Sequence, residues 1–120
     1  MLELDQPENS LDKALEPLNN IFNENVMNIV VVRSGVVLME SPIEGWKEKK
    51  IPSLTAAFWE KLCKLIAYKE KLQFNRDTHP FLFAYLPGGH RIHAMIGNID
   101  SGYSLDIRIR CRRPYERGLH

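Results

Sequence analysis

The chain has 120 residues and a formal net charge of +1, with 44% hydrophobic and 26% charged residues. That is one ordinary domain with room for a single core, too apolar for a disordered chain and too short for two domains. Its apolar runs, such as residues 29–32, are far below the about 20 residues that span a bilayer, and residues 1–9 lack the basic and apolar parts of a signal peptide.

Residues 1–9 read as a frayed start, with Ser10 capping a helix whose apolar residues Leu11, Leu15, Leu18 and Phe22 recur at helical spacing. Pro17 should kink or divide that helix. Residues 27–33, rich in Val and Ile, predict a buried strand. Ser34-Gly35 supplies a tight turn, and residues 36–40 form the hairpin partner. Pro42 and Gly45 interrupt the sheet, and residues 46–51 allow a short strand whose Lys47, Lys49 and Lys50 protect an edge. Ser53 or Thr55 starts the clearest helix, with Leu54, Phe58, Leu62, Leu65 and Ile66 as its apolar stripe, Trp59 and Cys63 flanking it, and Lys61 and Lys64 on the wet side. That stripe packs on the sheet.

Residues 73–80 are a polar connection. Residues 81–86, the turn Pro87-Gly88-Gly89 and residues 91–96 form a hairpin, in which Pro87 presets φ and Gly88 supplies the positive φ of a type II turn. Residues 98–102 read as a loop. Beyond it Leu105, Ile107, Ile109 and Cys111 alternate with Ser104, Asp106, Arg108, Arg110 and Arg112, which is a half-buried strand with arginines on its other face. Pro114 ends it. The fold class expected is α+β: a mostly antiparallel sheet with one long packed helix and an N-terminal helix, compatible with a PAS-like sandwich. Residues 1–10 are the frayed terminus, 11–114 the domain, and 115–120 the start of a linker.

Chemistry is narrowed mainly by elimination. No glycine is followed by lysine, so there is no P-loop and no self-contained nucleotide hydrolysis by that route. His90 and His93 are spaced HxxH on a strand, which puts them on opposite faces and argues against a metal site; His79 precedes Pro80 in a loop and is no better. None of the serines sits at a strand-turn-helix elbow. Cys63 and Cys111 lack CxxC spacing and read as reduced core or boundary thiols, Cys63 inert beside Lys64.

Charge is uneven along the chain. Residues 1–24 hold six acids against Lys13, net −5, whereas residues 91–120 hold six cations, all arginine, against Asp100, Asp106 and Glu116, net +3. Arginine presents a planar fork that matches phosphate or carboxylate, so the set points to oxyanion recognition, with a solvated basic face as the plain alternative. If Arg91 shares a sheet surface with Arg108 and Arg110, they form a seat for a di- or triphosphate. An open face leaves such a ligand screened by water, so a second surface is needed to close over it.

The stretch Leu86-Pro87-Gly88-Gly89-His90-Arg91-Ile92 resembles the Leu-Pro-Asp/Asn-Gly-x-Arg-aliphatic turn in the amino-terminal domain of the VirB-type hexameric traffic ATPases of bacterial type IV secretion systems. Ser104-Leu105-Asp106-Ile107-Arg108 resembles that domain's Ser-Leu-Thr-Ile-Arg strand, and residues 22–40 follow the order of its first hairpin. The likeness covers about residues 11–114. It departs from the family at Val32, where an Asn often stands, and at Gly88, which replaces Asp or Asn; Val32 cannot donate the hydrogen bond expected of that Asn.

The resemblance implies a nucleotide-clamping and assembly domain, cytoplasmic and peripheral to the inner membrane. ATP or ADP with Mg is held against a separate RecA-like ATPase domain of the same full-length chain, in a homo-hexamer that meets other secretion-system subunits. It implies that the matching arginines, Arg91 and Arg108, reach the phosphates, with Arg110 beside them, and that Arg112 and Arg113 face solvent or the linker. The full-length protein is then an ATPase, while this chain alone is not an enzyme, and it ends where the linker to the ATPase domain would begin. Two other readings are a nucleic-acid-binding module tracking phosphates along the arginine strand and a PAS-like small-ligand sensor. Nucleic acid is not expected as a partner, because single-strand binders interleave exposed aromatics with their cations and none is evident beside these arginines.

Overall fold

The computed structural model describes residues 7–99 and 102–112. It has three helices, α1 (Pro7–Ala14), α2 (Glu16–Phe22) and α3 (Ala56–Glu70). The strands are β1 (Asn28–Arg33), β2 (Val36–Ser41), β3 (Gly45–Lys50), β4 (Phe81–Tyr85), β5 (Arg91–Ile99) and β6 (Gly102–Arg110). The strands form one sheet in the order β3-β2-β1-β6-β5-β4, every neighbouring pair antiparallel. The α+β class expected from the sequence is therefore what the chain adopts.

Local chemistry explains the elements. Pro17 lies in the first turn of α2, where a missing N–H costs nothing, and the chain divides at Leu15 as expected. Residues from Pro7 are already helical, so Ser10 lies inside α1 rather than at its cap. Thr55 caps α3, its hydroxyl accepting the Phe58 N–H at 3.0 Å. The Ser34 hydroxyl accepts the Ala56 N–H at 3.1 Å, tying the start of α3 to the β1–β2 turn.

One face of the sheet is covered by the helices. Ile29, Val37, Met39, Leu82, Ala84, Ile92, Ala94, Ile107 and Ile109 join Leu11, Leu15, Leu18, Ile21 and Phe22 from α1 and α2 in a single core. From α3 come Trp59, Leu62, Cys63, Ile66 and Ala67, so the helix is rotated from the expected stripe: Phe58 and Leu65 are only partly buried at its margin. Leu54, which anchored that stripe, is fully buried but precedes the N-cap, so it does not share the helix's phase. Both cysteines are buried. Burial, and secondarily Glu60, pushes the Cys63 thiol up from 9.0 to about 12, which favours its protonated form.

The β4–β5 turn forms as anticipated: Gly89 N–H donates to Leu86 O at 3.0 Å, with Gly88 at φ 92 and Gly89 at φ 89. Residues 98–102 are not all loop, because Asn98 and Ile99 pair with Tyr103 and Gly102 and carry the β5–β6 ladder to its tip. No helix among the described residues is long and apolar enough to cross a membrane.

Candidate functional site

Among the described residues no helix covers the opposite face of the sheet, and strand registers fix what stands on it. In one rung Tyr85, Arg91, Arg110, Asn28 and Glu40 lie side by side across β4, β5, β6, β1 and β2. In the next rung stand Phe83, His93, Arg108, Val30 and Leu38, and in the third Phe81, Met95 and Asp106. Strands in a sheet are about 4.8 Å apart, so neighbours in a rung are within side-chain reach.

All three arginines expected at a site, Arg91, Arg108 and Arg110, line one cleft of about 260 Å³ with Asn28, Phe83, Ile92 and His93. Arg108 and Arg110 are exposed and Arg91 is half-buried. Among the described residues no salt bridge joins any of the three to a carboxylate. The acid nearest along the first rung, Glu40, instead accepts a 2.8 Å hydrogen bond from Asn28 Nδ2. No carboxylate lines that cleft, so the three like charges repel one another, and an anion placed among them lowers that cost. The arrangement suits a phosphate-bearing ligand.

The remaining candidates separate. His90 is 3% exposed and stacks on Phe22 at 4.0 Å, while its Nδ1 accepts the Arg112 N–H at 2.9 Å. His93 lies on the open face, packed at 80° against the Phe83 ring. The HxxH pair is thus split across the sheet, as its spacing on a strand requires, and no group of three His, Cys, Asp or Glu residues among those described could hold a metal. Arg112 does not extend the arginine row freely. It is half-buried, and its Cδ stands 2.8 Å from where a Cβ on Gly89 would lie, so it packs over the hairpin turn. Arg113 lies outside the described residues. Val32 is 42% exposed beside a bulge between Val31 and Arg33 and does not line the arginine cleft.

One expectation is overturned. Aromatics do stand beside the arginines: Phe81, Phe83 and Tyr85 on β4 are 67%, 57% and 65% exposed, in register with Met95, His93 and Arg91. Their spacing of two along a strand is visible in the sequence. Their side of the sheet follows only once the hairpin register sets them opposite Arg91.

No family model matches the sequence, and no curated protein matches it. Solved structures do. The crystal structure of the VirB11 ATPase from the Brucella suis type IV secretion system, in complex with sulphate, superposes with a TM-score of 0.74 over 94% of this chain at 23% identity. This chain therefore shares the fold of the matched part of that VirB11 ATPase. The chain matches 35% of the length of the VirB11 chain, so the likeness concerns one domain of that larger protein.

Proposed function

We propose that this chain is the amino-terminal assembly and nucleotide-clamping domain of a type IV secretion traffic ATPase. It acts from the cytoplasm at the inner-membrane surface, within a hexamer whose RecA-like domains hydrolyse ATP. The observation that carries the reading is the gathering of Arg91, Arg108 and Arg110 in one cleft without an acid partner, on a fold shared with VirB11.

In this reading Arg108, at the centre of the face, and Arg91, half-buried beside it, supply planar donor forks to the phosphates of ATP or ADP, and Arg110 adds charge from the next rung. The open face gives the nucleotide no cover. The RecA-like domain closes over it, excludes water, and contributes the P-loop that this sequence lacks. Bound magnesium would neutralise phosphate charge, and this face, which offers arginines rather than carboxylates in its cleft, would supply donors to phosphate oxygens and not ligands to the metal. The isolated domain then has no turnover and binds nucleotide weakly.

The test is titration of fluorescent ADP into this domain joined to a RecA-like traffic-ATPase domain. Affinity that exceeds that of the RecA-like domain alone, and that falls on Arg108→Ala, supports the clamp; equal affinity with and without this domain rejects it.

A further inference from the structure

The β4 edge has a character that phosphate clamping does not use. The other edge of the sheet, β3, is guarded by Lys47, Glu48, Lys49 and Lys50, as exposed edges usually are, whereas β4 reads Phe-Leu-Phe-Ala-Tyr with no charge at all. Its Leu82 and Ala84 are buried, and its three rings face water on the arginine side of the sheet. On that face a groove of about 610 Å³ runs from Phe81 and Phe83 past His93 and Met95 to Arg108 and Val30, with Asp106 at the Phe81 end.

Flat rings thus occupy three rungs of β4, and cations stand one to two strand spacings away in two of them, Arg91 and Arg110 in the Tyr85 rung and Arg108 in the Phe83 rung. Along β4 successive rings are separated by about 6.8 Å, two residues of extended chain. A mononucleotide occupies the arginine cluster and reaches at most one ring. Filling both sets takes a polymer with a flat face on each unit and an anion on each link.

We propose that the open face of β4, β5 and β6 binds single-stranded nucleic acid, with successive bases stacked on Phe83 and Tyr85 and the phosphates tracking over Arg108, Arg91 and Arg110. Bases must be unpaired to present their faces, so duplex is a poor ligand. Asp106 repels phosphate at the Phe81 end and directs the strand toward Tyr85. The proposal stands apart from the nucleotide reading: it shares the arginines, but the rings decide it.

The experiment is fluorescence anisotropy on this chain with labelled oligothymidylate and oligouridylate of roughly ten nucleotides, within the reach of one such platform. Binding in either arm supports the proposal, and the tighter arm assigns the sugar. Three phosphate contacts give a slope of log affinity on log salt of about −2. Phe83→Leu and Tyr85→Leu, which keep apolar bulk but lose the ring, each weaken binding by roughly tenfold, while Asp106→Asn tightens it at low salt. Because the last change is a gain, damage to the fold cannot mimic it. Tripolyphosphate, with charge but no bases, competes only at far higher concentration. No binding at low salt, equal affinity for duplex, or leucine variants that bind like the parent would overturn the inference. Loss of ADP clamping in the joined protein with oligonucleotide binding intact would remove the nucleotide reading alone.

Discussion

The two faces of the sheet are built from alternate residues of the same strands and do different work. On β6, Ile107 and Ile109 are buried against the helices, while Arg108 and Arg110 between and after them stand in water. On β4 the same alternation buries Leu82 and Ala84 and exposes Phe81, Phe83 and Tyr85. The helix-covered face carries folding energy through apolar burial, and the open face, which loses little on truncation, is free to hold binding groups. A register slip of one residue would exchange the two sets, so the core fixes the site's geometry.

That division is broken most severely from the covered side. Leu62, fully buried under the sheet, should cost about 2 to 5 kcal/mol of stability on Leu62→Ala, through lost burial and the cavity left behind. Urea unfolding followed by circular dichroism measures it, and a loss below about 1 kcal/mol would mean that α3 does not carry the core. On the open face the effect should move from stability to binding. In the domain joined to a RecA-like partner, Arg91→Ala and Arg108→Ala should each weaken ADP by about 1.5 to 3 kcal/mol, the range for a charge-assisted hydrogen bond. The same changes should alter stability by within about 0.5 kcal/mol, as surface substitutions do. Arg108→Lys should restore only part of the affinity, since a point charge does not reproduce the fork.

Where the two faces meet, at the β4–β5 turn, a smaller effect is expected. Gly89→Ala should destabilise by about 1 to 2 kcal/mol, the cost of a left-handed residue with a Cβ. The added methyl also meets Arg112 Cδ at 2.8 Å, so Arg112 must shift. Confined to alkaline pH, and absent near neutrality, is the effect of Cys63. Its folded pKa of about 12 lies above the ordinary 9.0, so the buried thiol's contribution is complete below about pH 9 and is lost as pH rises toward 12. The urea midpoint of the parent should fall faster across that window than that of Cys63→Ala, and parallel slopes would show that the thiol is not the titrating group.

Much of this was legible in the sequence because short-range rules sufficed. Pro87-Gly88-Gly89 specifies its turn, strict alternation from Leu105 to Cys111 specifies a half-buried strand, and Pro17 divides the first helix. The errors arise where a longer-range condition decides. Ser10 is a good cap in isolation, yet helix already runs through it from Pro7 onward. Leu54 looks like part of the α3 stripe but lies before the cap, so it misplaces the helix phase. Asn98 has weak strand propensity, and its pairing with Tyr103 overrides that.

For the site, alternation placed Arg108 and Arg110 together, and the resemblance selected Arg91. Phe83, His93 and Asn28 joined them only through registers among four strands, which no local pattern fixes. The exposed rings of β4 were readable as every second residue, but a strand bearing Phe, Phe and Tyr looks like core until its other face is seen to be the buried one.

The central claim is that the arginines act as a built anion site rather than as general surface charge. Lys61 offers the comparison, being exposed on α3 on the helical side of the sheet. ADP affinity of the joined protein should be measured at one fixed salt concentration for the parent, Arg108→Ala and Lys61→Ala. The account predicts a loss of roughly tenfold to a hundredfold for Arg108→Ala and less than about twofold for Lys61→Ala. Equal losses for the two would show that net charge alone draws the nucleotide, and would contradict it.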